Sequence, residues 1–163
     1  MCLMTRILRT FSLIFLFTLL GILKAEVGLC QGCTMNATPI NFGNYDVFSS
    51  PPLDAVGTIT INCTWLVWNA TVSLGVSSTS RTFNPRRMIR SGGTDLLDYN
   101  VYTDVARTAI FGDGTGGTSQ VSVRSPSMFR PWSANISMYG RMPPGQNVSV
   151  GTYSDILTAT VTP

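Results

Sequence analysis

The clearest pattern along this chain is two-residue alternation of apolar and polar positions. In residues 56–63, Ile59, Ile61 and Cys63 fall on one side and Thr58, Thr60 and Asn62 on the other, as in a strand with one buried face. Ala70, Val72, Leu74 and Val76 alternate with Thr71, Ser73 and Gly75 in the next segment. Near the C-terminus Tyr153, Asp155, Leu157, Ala159 and Val161 share one parity, with Thr158, Thr160 and Thr162 opposite. One wet and one apolar side is the signature of antiparallel sheet. Weaker strands are predicted at residues 40–45, 86–90, 96–103, 121–124, 133–141 and 147–150. Between them lie turn clusters at 49–52, Asn84-Pro85, 91–93, 112–117 and 143–145. Seven to nine short strands without a helical stretch predict an all-β sandwich.

The first 25 residues follow a different rule. Arg6 and Arg9 precede a mainly apolar, uncharged run at 11–23, and Lys24-Ala25 closes it, as in a secretory signal peptide cleaved after Ala25. The run is shorter than the roughly 20 apolar residues of a membrane span, so no stable membrane insertion is expected after cleavage. A lipoprotein reading through Cys30 fits poorly, because bulky Leu29 precedes it. Residues 26–163 are expected to form a single domain.

Composition agrees with the pattern. In residues 26–163, Val, Ile, Thr, Phe, Tyr and Trp number 50, against 31 for Ala, Leu, Met, Arg, Glu and Gln together, and lysine is absent. The formal net charge of +3 belongs to the signal. Removing Arg6, Arg9 and Lys24 leaves eight arginines against Glu26 and seven aspartates, a neutral domain that gives no reason to expect nucleic acid as a partner.

Candidate chemistry is sparse. The chain has no histidine, which excludes Ser-His-Asp triads, His-ligated zinc and haem attachment through Cys-x-x-Cys-His. Cys30 and Cys33 have Cys-x-x-Cys spacing but no helix behind them, so thioredoxin-like chemistry is not expected. The better reading is a structural bond between Cys33 and Cys63, with Cys30 free or paired to another chain. The loop at 112–117 lacks the Lys-Ser/Thr ending of a phosphate cradle and reads as a hairpin. Asp95 and Asp98 lie at strand spacing that turns them to opposite faces, which argues against an acid/base pair. Five Asn-x-Ser/Thr triplets begin at Asn36, Asn62, Asn69, Asn135 and Asn147, and matter only in a eukaryotic secretory pathway. Trp65, Trp68 and Trp132 could form a stacking platform for sugar or could be packed in the core. Trp65 and Trp68, in the apolar stretch that follows Cys63, are the candidate surface contact. No catalytic residue, metal site or cofactor is expected.

The motifs Cys33-Thr-Met-Asn-Ala-Thr-Pro-Ile-Asn-Phe-Gly-Asn-Tyr45 and Gly57-Thr-Ile-Thr-Ile-Asn-Cys63 resemble the start of the spore coat protein U domain, the pilin domain of archaic, Csu-type chaperone-usher pili. Further similar stretches follow in order at residues 95–104, 111–114, 139–146 and 150–161. The resemblance implies an immunoglobulin-like β-sandwich missing its last strand, with Cys33 and Cys63 at the positions of the family disulfide. It implies a non-catalytic fimbrial subunit that works in adhesion or biofilm formation. Its partners would be a periplasmic chaperone, an outer-membrane usher and a neighbouring pilin subunit, first in the periplasm and then at the cell surface. A donor strand would fill a groove bordered by Leu157, Ala159 and Val161. Cleavage after Ala25 leaves only residues 26–32 before Cys33, so the chain is expected to accept a strand but to be poorly equipped to donate one, which points to the tip or its neighbourhood. The rival readings are a secreted carbohydrate-binding module and a structural coat protein.

Overall fold

The computed structural model describes residues 32–127 and 129–163; the predicted signal peptide, its cleavage position and Cys30 lie outside these residues. Nine antiparallel strands form two sheets, and no helix occurs among the described residues. The larger sheet is ordered β1 (Cys33–Thr38), β2 (Leu53–Cys63), β7 (Trp132–Met142), β5 (Leu96–Tyr102), β4 (Arg86–Arg90) and β8 (Tyr153–Ser154). The smaller is β6 (Val121–Arg124), β3 (Asn69–Leu74) and β9 (Ala159–Thr162). The all-β sandwich expected from the alternation is the fold observed.

The alternation also identifies the core. Ile59, Ile61 and Cys63 of β2 and Ala70, Val72 and Leu74 of β3 are buried. They meet Ile136 and Met138 of β7 and Leu97, Tyr99 and Val101 of β5 between the sheets. β2 and β7 pair along their whole lengths, from Leu53 opposite Met142 to Cys63 opposite Trp132. Cys33 stands opposite Cys63 in the β1–β2 ladder, and the two are disulfide-bonded.

Two predicted strands are absent. Residues 40–45 and 147–150 are not in strands, whereas the N-terminal strand lies earlier, at Cys33–Thr38. Pro39 ends that ladder because it has no N–H to donate. The following segment instead lays Ile40 and Phe42 across β2 and β7, where glycines make room. A Cβ on Gly140 would lie 2.6 Å from Phe42 Cζ and 2.9 Å from Ile40 Cγ2, and one on Gly57 would lie 2.8 Å from Ile40 Cγ1. Gly140→Ala should therefore destabilise the domain by about 1–3 kcal/mol through overpacking, read as a lower urea midpoint; an unchanged midpoint would refute this contact.

The C-terminal run keeps one inward parity while changing sheets. Tyr153 pairs with Arg90 of β4, and Ala159 pairs with Leu74 of β3. The crossing is held by Gly75 N donating to Thr158 O at 2.8 Å and Ser78 N donating to Ile156 O at 3.2 Å.

Candidate functional site

Among the described residues β1 is hydrogen-bonded only to β2, and β9 only to β3, so each is an edge of its sheet. The two edges approach one another on the same flank with no ladder between them. A cavity of about 320 Å³ opens there, with Ala37 and Ile40 on one wall, Leu157 and Ala159 on the other, and Ile59, Tyr99 and Val101 at its floor. A second cavity of about 780 Å³ shares Pro39, Ile40, Phe42 and Met88 with it and runs on between residues 41–48 and 148–153. Together they form a trough that runs from the flank between the β1 and β9 edges toward residues 148–153.

The floor of the smaller cavity is apolar, and apolar side chains stand exposed on the rims of both. Phe48 and Val150 are 91% and 97% exposed, and Ile156 is 73% exposed; all three line the trough. The larger cavity mixes these with polar side chains such as Asn41, Asn44, Asp46 and Thr152, so the apolar groove proper is the smaller one, between the strand edges, where another chain can pack.

Polar contacts brace the walls. Tyr45 Oη donates to Pro143 O at 2.8 Å and accepts from Gln146 N at 2.9 Å. Gln146 then brackets Asp98 of β5, its Oε1 accepting from Asp98 N at 2.7 Å and its Nε2 donating to Asp98 O at 2.9 Å. Asp155, on the inner wall, accepts from Tyr99 Oη and Ser78 Oγ, each at 2.7 Å. Burial raises the Tyr99 hydroxyl well above its ordinary pKa, and the bond to Asp155 adds to the rise. Burial also pushes Asp155 upward, but the hydrogen bonds it accepts outweigh this and hold the carboxylate below its ordinary value. Both carboxylates that line the trough are thus engaged by the protein, Asp155 as above and Asp46 by accepting from Phe48 N at 2.9 Å.

Of the residues singled out in the sequence, Leu157 and Ala159 line the trough, while Val161 lies further along β9, half-buried opposite Val72. Trp65 and Trp68 stand in the β2–β3 turn, 38% and 47% exposed. Trp132 takes no part in a surface platform: it is 7% exposed and its Nε1 donates to Val67 O at 2.7 Å. Asp98 and Asp95 form separate ion pairs with Arg87 at 2.8 Å and Arg90 at 2.6 Å. The loop at 112–117 turns on Asp113, whose Oδ1 accepts from Thr115 N at 2.9 Å. Sequence reasoning missed the opposite wall at 37–48 and the rim residues Phe48, Val150 and Ile156.

A family model for the Spore Coat Protein U domain matches residues 19–160. The chain belongs to the spore coat protein U domain family. It is 34% identical over 146 residues to Protein U of Myxococcus xanthus, covering 83% of this chain and 78% of that protein. Among solved structures, it is similar to a chain of the CsuC–CsuE chaperone–tip adhesion subunit pre-assembly complex from archaic chaperone-usher Csu pili of Acinetobacter baumannii. The TM-score is 0.54 at 18% identity, over 81% of this chain and 40% of the matched one. The E. coli Hda pilus minor tip subunit, HdaB, matches at a TM-score of 0.41 and 12% identity, over 78% of this chain and 79% of the other. The likeness to the Csu pre-assembly chain accords with the two-sheet fold described above, an immunoglobulin-like sandwich.

Proposed function

We propose that this spore coat protein U domain is an exported, non-catalytic pilus subunit assembled by strand donation. The observation that carries this reading is the apolar trough between two unpaired strand edges, β1 and β9. A strand laid in it would gain backbone hydrogen bonds from the free edge of β9, while its alternate side chains enter the pockets above Ile59 and Val101. A periplasmic chaperone would supply that strand first and a neighbouring pilin subunit afterwards, with an outer-membrane usher passing the subunit to the cell surface. Leu157, Ala159 and Val161 would face the incoming strand. The short stretch expected between the cleavage position and Cys33 supports a place at or near the tip, where Trp65 and Trp68 would contact the surface in adhesion or biofilm formation.

The test is to express the exported chain with and without a chaperone or an added donor-strand peptide. A cooperative unfolding transition and a monomeric state are expected only when a strand is supplied. A chain that folds cooperatively and stays monomeric alone would overturn the reading.

A further inference from the structure

A second concavity lies away from the trough, at the pole where β2 ends and β3 and β7 begin. The β2–β3 turn and the β6–β7 loop build it, joined by Ser125 N donating to Trp68 O at 2.8 Å. It is a cup of about 210 Å³ walled by Leu66, Trp68, Pro126 and Phe129, with Arg124 on its side. The cup is smaller than the roughly 300–1,000 Å³ clefts that enclose drug-sized ligands, and its scale suits a single ring.

Three features separate it from an incidental dent. Leu66 and Phe129 both hold positive φ, 73° and 66°, a region that bulky side chains rarely occupy and that costs energy to maintain. The base is fixed from below, where Trp132 Nε1 is bonded to Val67 O. Finally, the local charge is one-sided. Arg87, Arg90, Arg107 and Arg141 all pair with aspartates, but Arg124 in the cup and Arg130 beside Phe129 have no carboxylate partner among the described residues. No Asp or Glu occurs at residues 55–94 or 114–154, the stretches that supply both loops.

We propose that this cup binds one uronic acid residue of an acidic polysaccharide. The half-exposed face of Trp68 and the ring of Phe129 would take the apolar C–H face of the sugar. The guanidinium of Arg124 would take the carboxylate, for which its planar fork of donors is suited. A concave, ring-sized site that sets the half-exposed Trp68 indole beside an arginine fits an acidic sugar better than a bilayer, which calls for a broad protruding apolar face. This rests on the reading of the Trp65 to Trp68 pole as the adhesive face, and is independent of how the subunit is assembled.

The test uses the exported chain as isolated from cells, with whatever assembly partner accompanies it. Titration with an oligogalacturonate, followed by tryptophan fluorescence and calorimetry, should saturate, and a neutral oligoglucan should not bind. Arg124→Gln should weaken binding about tenfold, the loss of one charge-assisted contact, and raised salt should weaken it further. Arg81→Gln, an exposed cation on another loop, should change nothing. Trp68→Ala should abolish binding while the urea midpoint of Arg124→Gln stays at the parental value. Equal binding of the neutral oligomer, an unaffected Arg124→Gln, or capture by phosphatidylglycerol vesicles without oligogalacturonate binding would overturn the proposal. If surface adhesion needs Trp65 and Trp68 while oligogalacturonate stays unbound, the uronate site falls and the adhesive reading stands.

Discussion

Replacing Arg86 with methionine should lower the stability of the domain by about 3–5 kcal/mol, among the largest effects of any single substitution. Arg86 is fully buried between the sheets. Its Nη2 donates to Gly75 O at 2.8 Å and Phe111 O at 2.7 Å, and its Nη1 donates to Asn100 Oδ1 at 2.9 Å. The guanidinium also lies 5.5 Å from the centre of the Phe83 ring. One side chain therefore satisfies the loop after β3, the segment before β6 and the middle of β5. Methionine fills much of the volume but takes this donor from two backbone carbonyls, each costing about 1–3 kcal/mol when buried and unpaired, while Asn100 Oδ1 keeps its bond from Val101 N at 2.9 Å. Part of that is recovered, because burial disfavours the cation and pulls its pKa down, and because Nε has no hydrogen-bond partner among the described residues. Arg86→Lys should fall between the two, since it keeps the charge and loses the fork. Urea denaturation of the folded form, with a strand supplied where folding needs one, measures the difference. A methionine variant within 1 kcal/mol of the parent would show that the carbonyls find other donors, against the estimate above.

Arg86 also shows where sequence reading stops. It shares strand parity with Met88, which packs against the core, so an inward arginine could have been suspected. Composition argues the other way, because arginine is almost never fully buried without partners, and its acceptors here are backbone carbonyls that no side-chain pattern reveals. Strands β2 to β7 were legible, and each has a neighbour with which it pairs while its inward face is covered. Alternation reports which side faces inward; it does not report whether a hydrogen-bonding neighbour exists. Residues 40–45 therefore look like a strand yet form none, since Pro39 interrupts the ladder and Gly57 and Gly140 seat the segment by side-chain packing. Residues 153–161 likewise keep perfect parity across a change of sheet. The trough was visible only through its C-terminal wall, and only by resemblance. Its other wall comes from a segment more than a hundred residues earlier, and no local pattern links the two.

Breaking the Cys33–Cys63 bond, by Cys33→Ser with Cys63→Ser or by reduction, should cost roughly 3–4 kcal/mol, the chain-entropy value for a loop of 30 residues. The loss should be concentrated at β1. That strand is an edge with little buried side-chain surface: Cys33 and Met35 are half-buried and the other four positions are exposed. Apart from its ladder to β2, its start is held by the disulfide and by Thr64, whose N donates to Gly32 O at 3.0 Å and whose Oγ1 accepts from Gly32 N at 3.1 Å. Without the covalent tie, the β1 amides from Met35 to Thr38 should lose hydrogen-exchange protection before those of β2, which remains paired with β7. Because Ala37 and the segment after it form one wall of the trough, reduction should also weaken the uptake of a donor-strand peptide more than the global stability change alone would require. Exchange measured by mass spectrometry on the oxidised and reduced forms separates the two effects. Uniform loss of protection over both sheets would mean that the bond stabilises only the whole domain, and equal peptide uptake by both forms would mean that β1 is no wall of the site.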